Sequence, residues 1–123
     1  MIEHLSDFPG NVVAFLSKGH VTRRDYETVL VPVVEAALER HEKVRLYYQI
    51  DLDFSGIERG VAQNFKIGIG HLLRWDRIAI VTDVDWIRYT LRAFGFLMPG
   101  VVEIFSHDEK TEARKWILAA DPA

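Results

Sequence analysis

The chain has 123 residues, 49% of them hydrophobic and 27% charged, with a formal net charge of −3 and a pI of about 5.9. That is the size of one ordinary domain with one core. With no cysteine, disulfides, iron–sulfur clusters, thiolate zinc sites and cysteine nucleophiles are excluded, and the acidic balance gives nucleic acid no electrostatic footing. The first residues lack a basic start followed by an apolar run, so no signal peptide is expected. No stretch approaches the ~18 apolar residues of a membrane span.

The predicted elements follow in chain order. A short strand within residues 2–7 leads into Phe8-Pro9-Gly10-Asn11, which is turn chemistry, and Val12–Ser17 reads as the second strand of an antiparallel hairpin. Thr22 has the residue type of an N-cap, with Asp25 three positions on as its acidic partner. Apolar residues then recur at helical spacing at Val29, Val33, Val34, Ala37 and Leu38. Pro32 falls inside that pattern, where it kinks the helix or starts its second half. Val44–Ile50 is a third strand. The acidic loop Asp51-Leu52-Asp53-Phe54-Ser55-Gly56 follows, with Asp53 or Ser55 the plain choice of N-cap for a second helix over about residues 57–75. Residues 77–82 form a mostly apolar strand of the kind buried on both faces. Asp83 or Asp85 caps a third helix over about 86–98, which Pro99-Gly100 stops. Val101–Phe105 is the last strand, and Ser106 with Glu109 has the spacing of a capping box that opens a final helix through Trp116 and Leu118. The order β-β-α-β-α-β-α-β-α implies an α/β fold with a mostly parallel sheet.

The order and several motifs resemble the SpoIIAA-like family of STAS-fold domains. The resemblance is carried by Phe65-Lys66-Ile67-Gly68-Ile69-Gly70-His71, by Arg77-Ile78-Ala79-Ile80-Val81, by Asp85-Trp86 and by the closing Glu112-Ala113-Arg114-Lys115-Trp116-Ile117-Leu118. It implies a single domain over residues 1–123, a five-stranded mixed sheet with four helices, and the strand order 1-3-2-4-5 with the first strand antiparallel. It also implies a non-enzymatic, cytoplasmic binding or regulatory module. The family is likened to CRAL-TRIO lipid-binding domains, so the implied ligand is a small apolar or amphipathic molecule, lipid included, with peripheral membrane contact as a further expectation. Standard anti-sigma antagonists carry a D-S-S-G loop before the second helix, phosphorylated on the first serine. Here the loop reads Asp53-Phe54-Ser55-Gly56, so Ser55 is the phosphorylation candidate and the first serine position is Phe54. A protein-interaction module without the standard phosphoserine is the alternative.

Candidate binding residues cluster on the second helix. Gly60, Asn64, Gly68 and His71 share one helical face, where two glycines either open room for a ligand or allow close packing. Lys66 stands on another face, as a rim cation or a solvated one. With Trp86, the expected ligand contacts are Asn64, Lys66, Gly68 and His71. The third helix is apolar almost all round, through Tyr89, Phe94, Phe96, Leu97 and Met98, with Arg88 and Arg92 one turn apart. A surface helix ordinarily keeps a polar face. Such a helix serves as a dimer or partner interface, as a lid over an apolar cavity, or as a membrane contact with arginines at the headgroups. Catalysis has little footing. The histidines are dispersed, no metal-binding pair is present, and a Ser55–His71 dyad fails because sixteen helical residues span ~24 Å. No cofactor or metal is implied.

Overall fold

The computed structural model describes residues 1–57, 75–94 and 101–119. The strands are β1 (Ile2–His4), β2 (Val12–Ser17), β3 (His20–Val21), β4 (Val44–Ile50), β5 (Gly56–Ile57), β6 (Trp75–Thr82) and β7 (Val101–Phe105). The helices are α1 (Arg23–Asp25), α2 (Val31–Arg40), α3 (Asp85–Phe94) and α4 (Lys110–Leu118). A π-helical turn, Tyr26–Leu30, joins α1 to α2, and a 3-10 turn, His107–Glu109, leads into α4. The expected second helix lies outside the described residues except at its two ends, Ile57 and Trp75, which are strand residues. Gly56 and Ile57 form β5, paired in parallel with β3.

The main sheet has five strands in the order β1-β2-β4-β6-β7. All neighbours run parallel except β1, which is antiparallel to β2. The mixed α/β sheet is as expected, but the order corrects the 1-3-2-4-5 expectation. The reason is local. The hairpin closes with Val12 N donating to Pro9 O at 2.9 Å and Leu5 N to Ala14 O at 2.8 Å. That gives one edge of β2 to β1, so β4, the next strand of this sheet along the chain, joins at the other edge. Strand β6 also begins two residues earlier than expected, because Trp75 pairs with Val44 rather than ending a helix.

Both faces of the sheet are covered. On one face, Val13, Phe15, Val34, Leu38, Val44 and Trp75 form a core under α2. On the same face, Ile50, Ile78, Ile80 and Ile87 form a second cluster under α3. Leu46, Tyr48 and Phe54 pack against both clusters and so mark where they meet. The opposite face is covered by α4, which sets Ala113 and Ile117 against Ala14, Tyr47, Ala79 and Val81.

Helix ends follow the sequence signals. Thr22 and Asp25 form a capping box, with Asp25 N donating to Thr22 Oγ1 at 3.1 Å and Thr22 N to Asp25 Oδ2 at 2.9 Å. Ser106 and Glu109 form the second. Pro32 sits in the first turn of α2, directly after the π-helical turn. Its missing N–H is tolerated there, so the proline starts the second half of a continuous helical segment. Asp83 does not cap α3: its Oδ1 accepts from the His107 amide at 3.3 Å, and Asp85 lies inside the first turn.

At the amino end of the central strands two arginines hold the end of α4. Arg45 is buried, donates to Asp76 Oδ2 at 2.9 Å and to the carbonyls of Ile117 and Ala119. Arg77 donates to Trp116 O at 2.7 Å and lies 5.4 Å over the Trp116 ring. These donors meet carbonyls at the end of the helix, where Trp116 O also accepts from the cap amide of Ala119 at 3.3 Å, and their charge opposes the negative helix end. Replacing Arg45 with Met removes the donor to Ile117 O and to Asp76 and leaves Ala119 O with Arg77. It is expected to lower the unfolding free energy by about 3 kcal/mol, read from urea midpoints. Arg45→Lys is expected to recover only part of the loss, because an ammonium cannot reproduce the guanidinium fork. A loss below about 0.5 kcal/mol, the level of an ordinary surface substitution, would show that α4 docks without this clamp.

Asp25 gives a second expectation. The Thr22 backbone amide holds its carboxyl below the ordinary value, against a smaller opposing effect of burial. A carboxyl depressed in the folded state stabilises above its unfolded value and loses that contribution as pH falls through the folded one. The stability difference between the wild type and Asp25→Asn should therefore be constant from neutral pH to about pH 4 and shrink below it. Urea midpoints across that range measure it, and a difference independent of pH would contradict the assignment.

Candidate functional site

Four parallel strands end at one edge of the sheet, the edge at which open α/β sheets bind ligands. Ser17, Ile50 and Thr82 stand there in register across β2, β4 and β6, and all three are buried. Their carbonyls are engaged. Ser17 O accepts from Asp51 N at 3.0 Å, Ile50 O lies 3.2 Å from His107 Nε2, and Thr82 O accepts from Arg88 Nη1 at 2.9 Å.

The two side-chain hydroxyls of this row differ. Thr82 Oγ1 accepts from Val84 N at 3.0 Å. Ser17 Oγ, fully buried, makes no hydrogen bond. A buried hydroxyl without a partner costs about 1–3 kcal/mol. Two residues back along the strands, β4 pairs Tyr48 with Phe15 of β2 and Ile80 of β6. Alternation of the strands puts Ser17, Phe15 and Tyr48 on the same sheet face. The Tyr48 and Phe15 rings lie 6.3 Å apart. Burial pushes the Tyr48 phenol above its ordinary value. The phenol therefore stays a protonated donor at neutral pH.

The loop after β4 supplies the next ring. It is pinned to the β2–β3 corner by Ser55 N donating to Gly19 O at 2.9 Å and Gly19 N donating to Asp53 Oδ1 at 3.2 Å. Asp53 thus ties two loops together instead of capping a helix. Gly19, at φ 55°, and Gly56, at φ 130°, have backbone conformations that residues with a Cβ rarely adopt. A Cβ at either would meet nothing within 4 Å, so the constraint is conformational. The pinned loop places Phe54 partly buried against both apolar clusters, with its ring 6.3 Å from that of Trp86. Phe54 occupies the place of the first serine in the standard phosphorylated loop, and here it packs. Ser55 is exposed.

Helix α3 is two-sided over its described length. Ile87 is buried and Leu91 partly so, whereas Asp85, Trp86, Tyr89, Thr90 and Arg92 are exposed. On the outer face of the described part, Trp86 at 61% and Tyr89 at 76% exposure stand beside charged and polar residues. Trp86 and Phe54 come together as a pair. Asn64, Lys66, Gly68, His71, Phe96, Leu97 and Met98 lie outside the described residues, as does the side chain of Phe94. The sequence reading missed Ser17 and Tyr48, because a serine ending an apolar run and a tyrosine within one look like ordinary strand residues. It also missed Asp83 and His107, which meet only when β6 and β7 pair, and Arg88, which donates to Thr82 O. Among the described residues, no group of three or more His, Asp or Glu could hold a metal ion. No described helix is long and apolar enough to cross a membrane.

What the edge carries is two ring pairs, Phe15 with Tyr48 and Phe54 with Trp86, of which Tyr48 and Phe54 pack against both clusters, with two buried hydroxyls at its inner end and polar groups beside it. A few placed polar groups against an apolar wall is the usual make-up of a small-molecule site.

Comparison with known proteins agrees with the architecture. The crystal structure of an uncharacterized protein of the DUF3478 family with a SpoIIAA-like fold, from Shewanella loihica PV-4, is similar at 26% identity and a TM-score of 0.70, over 95% of this chain and 90% of that one. No curated protein matches. The SpoIIAA-like family profile matches residues 12–118, and the chain belongs to the SpoIIAA-like family.

Proposed function

We propose that the chain is a non-catalytic binding module for a small amphipathic molecule, held at the carboxyl edge of the sheet where the α2 and α3 clusters meet. The observation that carries this reading is the pair Tyr48 and Phe54. Both pack against the two clusters at once, and Phe54 pairs with the exposed Trp86. An apolar ligand body would lie along these rings, since aromatic surface gives much contact area at low entropic cost. The module works in the cytoplasm, and Trp86 and Tyr89 with Arg92 are the face that would touch a membrane surface during ligand exchange. The exposure of Trp86 and Tyr89 also favours a second reading, a protein-interaction module that docks a partner or a second copy on α3. Ser55, exposed in the loop beside Phe54, is the residue at which phosphorylation would regulate either mode.

Native mass spectrometry of freshly purified protein, followed by the same sample denatured, tests this. The expected result is a mass excess that disappears on denaturation with release of one class of small amphiphile. Trp86→Ala, being at an exposed position, is expected to change stability by less than about 0.5 kcal/mol and to lower the loaded fraction. A clean apo mass that also takes up no 1-octanol would contradict the ligand reading. An apo dimer abolished by Trp86→Ala would establish the second reading instead.

A further inference from the structure

We propose that Ser17 Oγ and the Tyr48 hydroxyl form the polar end of this site and select an uncharged hydrogen-bonding head, an alcohol or an amide, over a carboxylate. The inference rests on the ligand reading above and names the chemistry of the head group. Its basis is the one buried side-chain oxygen among the described residues that has no hydrogen-bond partner, Ser17 Oγ. Unpartnered buried polar atoms are few in folded proteins, and each calls for an explanation such as a bound water or ligand. Ser17 lies at the carboxyl end of β2, in register with Ile50 and on the sheet face of Tyr48. A serine hydroxyl donates one hydrogen bond and accepts two, and a protonated phenol donates one. Together they match a head that both accepts and donates, which an alcohol or an amide does.

Burial argues against an anionic head. Ser17 is fully buried and Tyr48 half-buried, and neither hydroxyl carries a charge. A carboxylate brought to them would give up its hydration for two neutral partners, a cost that an ionised group bears far more heavily than an alcohol or an amide.

Nitrogen–proton correlation spectra recorded during titration with 1-octanol and with sodium octanoate at pH 7 test this on the wild type, Ser17→Ala and Tyr48→Phe. The amides of Ser17, Lys18 and Asp51 should shift saturably with 1-octanol. Each variant should bind it about tenfold more weakly, the worth of one good hydrogen bond. Octanoate should bind the wild type at least about tenfold more weakly than the alcohol. The spectra themselves report whether each variant is folded, and Ser17→Ala, which deletes a single unpartnered oxygen, decides the matter if Tyr48→Phe is not. Saturable 1-octanol binding that both substitutions leave unchanged would overturn the assignment of the head-group site while leaving the ligand reading intact, and Ser17 would then hold only a structural water. Octanoate binding as tight as the alcohol would overturn the selectivity. Absence of saturable binding by either probe would overturn this inference and the ligand reading together.

Discussion

Strand β4 is hydrogen-bonded in parallel to β2 on one side and β6 on the other, and both of its faces are covered. That position takes the buried polar groups on and beside it away from water, so each needs a partner within the protein. At its amino end the requirement is met. Arg45, buried among carbonyls, finds Asp76 and the end of α4, and by doing so fixes the helix that covers one face. At its carboxyl end the requirement is met unevenly. The carbonyls of Ser17, Ile50 and Thr82 all have partners, and Thr82 Oγ1 caps a turn, but Ser17 Oγ beside Tyr48 has none. One strand thus has a stabilised end and an end with unused hydrogen-bonding capacity. The second is where α/β sheets hold ligands.

The loop leaving β4 turns that edge into a site. Its attachment to Gly19 fixes where Phe54 sits, and the Phe54 ring bridges the clusters beneath α2 and α3. In a phosphorylated switch the same place would display a hydroxyl to solvent. Here it presents a ring to Trp86. The ring makes this part of the loop apolar, which supports the amphipathic ligand proposed for this edge.

Much of the fold was legible because its signals are local. The strands Val12–Ser17, Val44–Ile50 and Val101–Phe105 have the expected bounds, since each is an apolar run closed by turn or capping residues. The boxes at Thr22 and Ser106 needed only a side chain and an amide three residues on. What depended on distant pairing was misread. Trp75 belongs to β6 because Val44 is opposite it, Gly56 and Ile57 are a strand because His20 and Val21 lie alongside, and the strand order follows from which edge of β2 the hairpin occupies. The site shows the same division. Trp86 stood out by its residue type. Ser17 and Tyr48 did not, because their significance lies in a register between strands far apart in sequence, and in a burial that no single segment reveals.

The central claim is that this edge, and not the α4 face, receives the ligand. Hydrogen–deuterium exchange with and without 1-octanol tests it most directly. Slower exchange is expected in the loop amides of Leu52, Phe54 and Ser55 and in the first turn of α3, where Ile87 and Arg88 donate to Val84 O, with no change along α4. Slower exchange confined to α4, or no change at any of these amides, would contradict the account.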